Sequence, residues 1–374
     1  MNLKNLSLDE LAAQLAPAEP TRTAVLKVHA AVFAHQLGSI DAIARAPQVP
    51  RRVADLIREK AELPSLTIVE RRRASDGFVK YLFESPLGGR VEAVRIPLFD
   101  EKYVVCISSQ VGCALACDFC MTGKLGFQRN LQTWEILDQV VQIRAEADRP
   151  VRGVVFMGMG EPLLNYRETI RAAKILSHPA AFAISGRAIT FSTAGTVPAI
   201  RRYIREAHPY RLAFSVTSAI PEKRLLVMPV QRANPFPDLV EAIREYATVR
   251  RERAMIAYVM IRGFNTGRED AEALRDVFAG IPIKIDLIDV TDPTGKYLPP
   301  TEEELKAFRD HLQIVGAPIA RRYSGGKEIG AACGTLEASR YGGWIFEPPR
   351  PARTSPPPPH PRTSRSSSTR SRRR

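Results

Sequence analysis

No apolar run in the 374-residue sequence approaches 18 residues, so no transmembrane helix and no membrane partner are expected. The first residues, MNLKNLSLDELAAQLA, lack the basic start and apolar stretch of a signal peptide, which points to a cytoplasmic protein. Cysteine is scarce and odd in number, with five in all and three of them within eight residues. This distribution excludes the disulfide framework of a secreted protein and suggests metal or redox chemistry in a reducing compartment. Acid is missing from the segment 350–374, which holds eight arginines. The formal charge is +14, but only +6 without that segment, so the body makes a weak case for an anionic partner. Pro, Ser and Arg cannot build a core, so 348–374 is expected to be a disordered, solvated basic tail, which could still add salt-sensitive affinity for nucleic-acid phosphates.

Hydrophobic residues make up 45% of the chain, enough for one large domain with a smaller attachment. Residues 1–62 read as a helical accessory domain: Ser7 is placed to cap DELAAQLA, and TAVLKVHAAVFAHQL has apolar spacing near the helical period. Residues 63–99 change period. LTIVERRR, FVKYLFES and RVEAVRIP, separated by Asp76-Gly77 and Pro86-Leu87-Gly88-Gly89, predict a short antiparallel β extension. From 100 to 347, strand-like runs at 103–107, 153–157, 188–192, 211–216, 255–261 and 283–290 alternate with helical patterns such as WEILDQVVQIRAEA and FPDLVEAIREYATVR. The class is α/β, and six such units suit a partial (β/α)6 barrel, with a doubly wound open sheet as the alternative. Gly158-Met159-Gly160-Glu161-Pro162, Ser192-Thr193-Ala194-Gly195 and Ser215-Val216-Thr217-Ser218 each fall where a strand would end, the face on which β/α barrels build active sites.

Cys113, Cys117 and Cys120 stand in C-x3-C-x2-C spacing on one predicted loop. Soft thiolates suit zinc or an iron–sulfur cluster. A structural zinc needs a fourth ligand, and no His or Cys with finger spacing follows; three thiolates on a four-iron cubane would leave one iron open. Of the two outlying cysteines, Cys106 precedes the loop by seven residues, and Cys333 sits among glycines 325, 326, 330 and 334. An ordinary buried thiol is one reading of each. A mobile nucleophile is another reading of Cys333, and a fourth cluster ligand a third.

The cysteine loop, with Phe119 before its third cysteine, and the glycine-rich strand end at 158–162 resemble the signature of the radical S-adenosylmethionine (SAM) superfamily. CISSQVGCALACDFCMTGKLGFQRNL, MGMGEPLLN, STAGTVP and AACGTL together resemble its RNA methyltransferases that modify adenine, from about residue 65 to about 345. The main members of that family act on carbon 2 of adenine in 23S rRNA and in tRNA; a related branch acts on carbon 8. The resemblance implies one 4Fe-4S cluster on Cys113, Cys117 and Cys120, and two molecules of SAM per turnover. It implies that Cys333 is methylated, that a 5′-deoxyadenosyl radical removes hydrogen from that methyl group, and that the resulting radical adds to the adenine. Cys106 would then form a disulfide with Cys333 to release the product. Glu92 matches the family's proton acceptor, although its spacing to Cys106 is one residue longer; a charge on an exposed strand face is the other reading. The implied cofactor contacts are Gly160, Glu161, Ser192, Ser215, Val216, Thr217 and Thr291. Two of them depart from the family, which has histidine where Thr217 stands and asparagine where Thr291 stands. An rRNA or tRNA substrate, an electron donor such as flavodoxin, and a monomer are expected. A radical SAM enzyme acting on a protein or small molecule, and a zinc-stabilised RNA-binding protein, are the competing readings.

Overall fold

Short polar side chains start the helices of the first 60 residues. Ser7 caps Leu8–Leu15 in a reciprocal capping box with Glu10, Thr21 caps Arg22–Phe33, and Ser39 caps Ile40–Ala44. Arg51–Lys60 follows Pro50. These elements belong to a computed structural model that describes residues 1–99 and 101–336; the expected tail and the last residues assigned to the barrel lie outside that range. The helices turn Leu11, Leu15, Val25, Val28, Val53 and Ile57 into a core shared with the rest of the chain. Lys4 joins the two parts: its Nζ donates to the Pro64 carbonyl at 2.9 Å and pairs with buried Asp138, which also accepts from the backbone N–H of Leu66 at 2.7 Å.

His29 is also buried there, edge-on to Phe33 and His178 with ring centroids 4.9 and 5.3 Å away. Burial, helped by the neighbouring His178, lowers its pKa to about 4. The unfolded imidazole titrates near 6.5, so the stability contributed by the neutral ring is complete above that pH and is lost as pH falls through the folded value. The loss is on the order of 3 kcal/mol. His29→Phe should flatten this acid limb, as measured by urea unfolding at a series of pH values between 7 and 4.

The extension and the barrel share one sheet. Strands β1 (Thr67–Arg73), β2 (Val79–Glu84) and β3 (Arg90–Leu98) form an antiparallel meander, and β3 continues antiparallel onto β4 (Lys102–Cys106). A small hairpin of β5 (Gln110–Gly112) and β6 (Phe127–Asn130) stands apart. The main sheet resumes with β7 (Val151–Phe156), β8 (Ile189–Thr193), β9 (Arg211–Ser215), β10 (Ala254–Met260), β11 (Ile283–Asp289) and β12 (Ile319–Arg321). All are parallel from β4 onward, and their order in the sheet follows their order in the chain. A doubly wound sheet reverses direction at a switch point; this sheet never does, so the barrel alternative holds. The short β12 adds a seventh parallel strand beyond the six expected. Among the described residues no helix is long and apolar enough to cross a membrane.

Candidate active site

The carboxyl ends of β7 to β11 open into a cleft of about 160 Å³, exposed to solvent on one side. The predicted cysteine loop forms one wall. Its start is fixed by Gly112, whose φ is +73° and whose missing Cβ would lie 1.8 Å from the Gly126 carbonyl oxygen. The loop then turns through left-handed Ala116, and the Cys120 N–H donates to the Cys117 carbonyl at 3.0 Å. Cys113, Cys117 and Cys120 all line the cleft.

Burial raises the pKa of all three thiols and pushes Cys113 up to about 12. Bare thiolates are costly there, and a bound metal reverses the balance. Among the described residues no three His, Cys, Asp or Glu side chains converge on a point that could hold a single ion. A cubane does not need such a point, because each thiolate takes a different iron. The three sulfurs beside an open cleft therefore fit a cluster better than a mononuclear zinc site.

The adjoining wall begins at the end of β7. A Cβ on Gly158 would lie 2.6 Å from the carbonyl of Ile107, and one on Gly160, at φ +99°, would lie 2.6 Å from the Gln110 Cβ. Only glycine lets this turn sit against the strand that leads into the cysteine loop. Glu161 is locked by the same contact: its N–H donates to Gln110 Oε1 at 2.8 Å, while its carboxylate accepts from the N–H groups of Ala194 and Leu163 at 2.9 and 3.1 Å. Burial raises this carboxyl to about 7 despite those donors. Ser192 and Ser215, at the ends of β8 and β9, complete the lining with Thr291 after β11. Gly160→Ala should lower stability by about 1–3 kcal/mol, as read by denaturant unfolding.

Two implied cofactor contacts do not reach the lining. Val216 and Thr217 are fully buried beside it. Thr217 is held at φ +61°, its carbonyl accepts from Asn265 Nδ2 at 2.5 Å, and its buried hydroxyl has no partner. The Thr291 hydroxyl is likewise buried without a partner, but Thr291 does line the cleft.

Cys106 ends β4 and is buried; its thiol is pushed up to about 12 by desolvation and by the nearby Cys333 sulfur. Cys333 is exposed at the rim of the cleft and lies within electrostatic reach of both Cys106 and Cys120. Its loop is seated rather than loose. Gly326 donates to Asp76 Oδ2 at 2.8 Å, Met121 donates to the Gly334 carbonyl at 2.8 Å, and Thr122 Oγ1 donates to the Leu336 carbonyl at 2.6 Å. Gly326, Gly330 and Gly334 all have left-handed φ. All five cysteines are free, so the structure contains no disulfide between Cys106 and Cys333.

Glu92 is not on an exposed strand face. It is buried on β3 in an ion pair with Lys80 at 3.0 Å, two residues from Val94, which pairs with Cys106 across the sheet. Glu92 does not line the cleft, but Lys80 Nζ reaches to 3.3 Å from where a Cβ on Gly330 would stand.

Sequence reading missed several groups. Asn165 closes the MGMGEPLLN string and donates from Nδ2 to the Ser109 and Leu131 carbonyls, both at 2.8 Å; its place in that string was the available signal. Arg322 lines the cleft and pairs with Asp286 at 3.0 Å, and Asp289 lines it with one carboxylate oxygen lacking a partner. Nothing local marks either one.

The radical SAM superfamily model matches residues 107–277. The chain is 75% identical over 95% of its length to a probable RNA methyltransferase of Myxococcus xanthus, covering 99% of that protein. It is 42% identical to the dual-specificity RNA methyltransferase RlmN of Syntrophobacter fumaroxidans, over 75% of this chain and 82% of the relative. The crystal structure of a radical SAM methyltransferase from Sphaerobacter thermophilus superposes with a TM-score of 0.83 at 33% identity, covering 91% of this chain and all of that one.

Proposed function

Because this chain belongs to the radical SAM RNA methyltransferases, those of RlmN type, we propose that it methylates carbon 2 of an adenine in ribosomal or transfer RNA by way of a methylated Cys333. The observation that carries this reading is the position of Cys333: on the cleft rim, beside the loop of three cysteines and facing a second, buried thiol. A superfamily member without a protein-bound methyl carrier has no use for that arrangement.

Cys113, Cys117 and Cys120 would hold a 4Fe-4S cluster, and Gly160, Glu161, Ser192, Ser215 and Thr291 the SAM. Val216 and Thr217 would support that lining from behind. Together the cluster and SAM supply the methyl group and the radical that activates it, with two SAM molecules consumed per turnover. The protein's own part is thiol chemistry. Cys333 would lose its proton and take the methyl group onto sulfur in a displacement that breaks the methyl–sulfonium bond and releases S-adenosylhomocysteine. The activated carbon would bond to the adenine ring and tie RNA to Cys333, and the odd-electron adduct would return one electron to the one-electron carrier held by Cys113, Cys117 and Cys120. The family resemblance implies Glu92, held by Lys80, as the final acceptor of the proton that the ring must lose, reached through a relay because its side chain does not line the cleft. The Cys106 sulfur would then attack that of Cys333, so a disulfide forms as the carbon–sulfur bond breaks, the thiol proton passes to the released carbon, and the methylated base leaves. A one-electron donor such as flavodoxin and a thiol reductant restore the enzyme.

Reconstituted protein incubated with ribosomal RNA or tRNA, SAM and a reductant should yield 2-methyladenosine on nucleoside mass spectrometry. Finding 8-methyladenosine instead would overturn the choice of carbon, and finding neither would overturn the RNA substrates. Glu92→Gln should slow turnover while preserving SAM cleavage, because the side chain does not line the cleft.

A further inference from the structure

The short helix Pro221–Val227 carries an arginine, Arg224, whose side chain is wholly buried. Its guanidinium spends its donors on neutral oxygens: Nη2 to the Ala194 carbonyl at 2.7 Å, Nε to the Val216 carbonyl at 3.2 Å, and Nη1 to Gln231 Oε1 at 3.2 Å. The ring of Phe236 lies 5.4 Å below it. Among the described residues, the acidic group that acts on it is the thiol of Cys117; burial otherwise lowers its pKa to about 10. A buried cation among dipoles and a ring is costly unless an anion offsets it.

The local packing shows where that anion would be. The Asp118 N–H in the cysteine loop donates to the Val227 carbonyl at 3.0 Å. Val227 and Met228 pack with Leu115, Cys117 and Phe119 of the same loop and with Ala194. Arg224 thus sits beneath the sulfur wall of the cleft, holding the ends of β8 and β9 through Ala194 and Val216. Gly195 packs closely against it: a Cβ there would lie 3.3 Å from Nη2 and 2.8 Å from a Leu239 methyl.

We propose that Arg224 is the counter-charge of the iron–sulfur centre, a positioning residue that steadies the thiolate-bound cluster and raises its reduction potential. The inference rests on the cluster reading above and is independent of which RNA or which carbon is methylated. A cubane on three thiolates is already anionic when oxidised and gains one more negative charge when a flavodoxin-type donor delivers an electron. A fixed positive charge at short range in a low-dielectric setting favours the reduced form more than the oxidised one.

The experiment uses the full-length, anaerobically reconstituted protein and compares wild type with R224K, R224Q and R224M by iron analysis and by redox titration followed by electron paramagnetic resonance. The two neutral variants should shift the reduced-to-oxidised ratio at a fixed potential at least tenfold toward oxidised, about 59 mV for a one-electron couple. R224K, which keeps the charge but only part of the hydrogen bonding, should stay near wild type. If neither neutral variant retains iron while R224K does, the counter-charge role stands. A neutral variant with full iron and the wild-type potential overturns it. So does an R224K protein that falls as far as the neutral variants or loses iron with them, since packing alone would then be the role. A wild-type protein that binds no four-iron cluster would instead defeat the cluster reading itself.

Discussion

Cys333→Ala is expected to abolish RNA methylation while leaving iron content and reductive cleavage of SAM near wild type. The cluster thiols lie on a loop fixed by Gly112, by the hairpin of β5 and β6, and by the Asp118–Val227 hydrogen bond. None of those contacts uses the Cys333 side chain. The loop that carries Cys333 is held by backbone groups of Gly326, Gly334 and Leu336, which an alanine at 333 leaves in place. The substitution therefore removes one nucleophile and little else, and methylation should fall to the detection limit because the neighbouring Cys106 thiol is buried and held in its protonated form. Iron quantification, 5′-deoxyadenosine release and nucleoside mass spectrometry separate the steps. Loss of iron in this variant would make Cys333 a cluster ligand and remove the mechanism.

The second large effect belongs to Cys106→Ala. In the proposed mechanism the first half of the reaction needs only Cys333, so this variant should still methylate itself and attack RNA. Release needs a second sulfur, and Cys106 lies close enough to Cys333 for the two to perturb each other. Its own thiol is pushed up to about 12 by burial, so it is a poor nucleophile until its proton is drawn off. That keeps it from competing for the methyl group early in the cycle. The variant should stop after about one event per enzyme and accumulate protein covalently attached to RNA, visible as a nuclease-sensitive band shift on a denaturing gel. Normal multiple turnover by this variant would refute the resolving role.

Local signals carried much of the fold. The alternation of strand-like and helical periods marks β4 and β7 to β11 within a few residues, and Ser7 caps the helix it was expected to cap. The short pieces did not stand out: β5, β6 and β12 are three or four residues long, too brief for a period of two to appear. The join between β3 and β4 was also invisible, because strand pairing depends on partners and not on composition. At the site, cysteine spacing and glycine placement carry chemistry that spacing alone can express. Burial is different. Glu92 has a strand pattern that fits an exposed face equally well, and only its pairing with Lys80 shows it turned inward. Arg224 reads in sequence as one more charge on a helix; its isolation from acids is a property of three dimensions.

The continuous sheet has a consequence for how large RNA must be handled. With β3 hydrogen-bonded along β4, and β4 along β7, the acid at 92, the thiol at 106 and the turn at 158–160 are stitched into one fabric with no hinge between them. Swinging domains cannot assemble this chemistry step by step. The stretch around Cys333 is docked on the same frame through Gly326, Gly334 and Leu336, so a substrate base would have to be brought to chemistry that is already assembled.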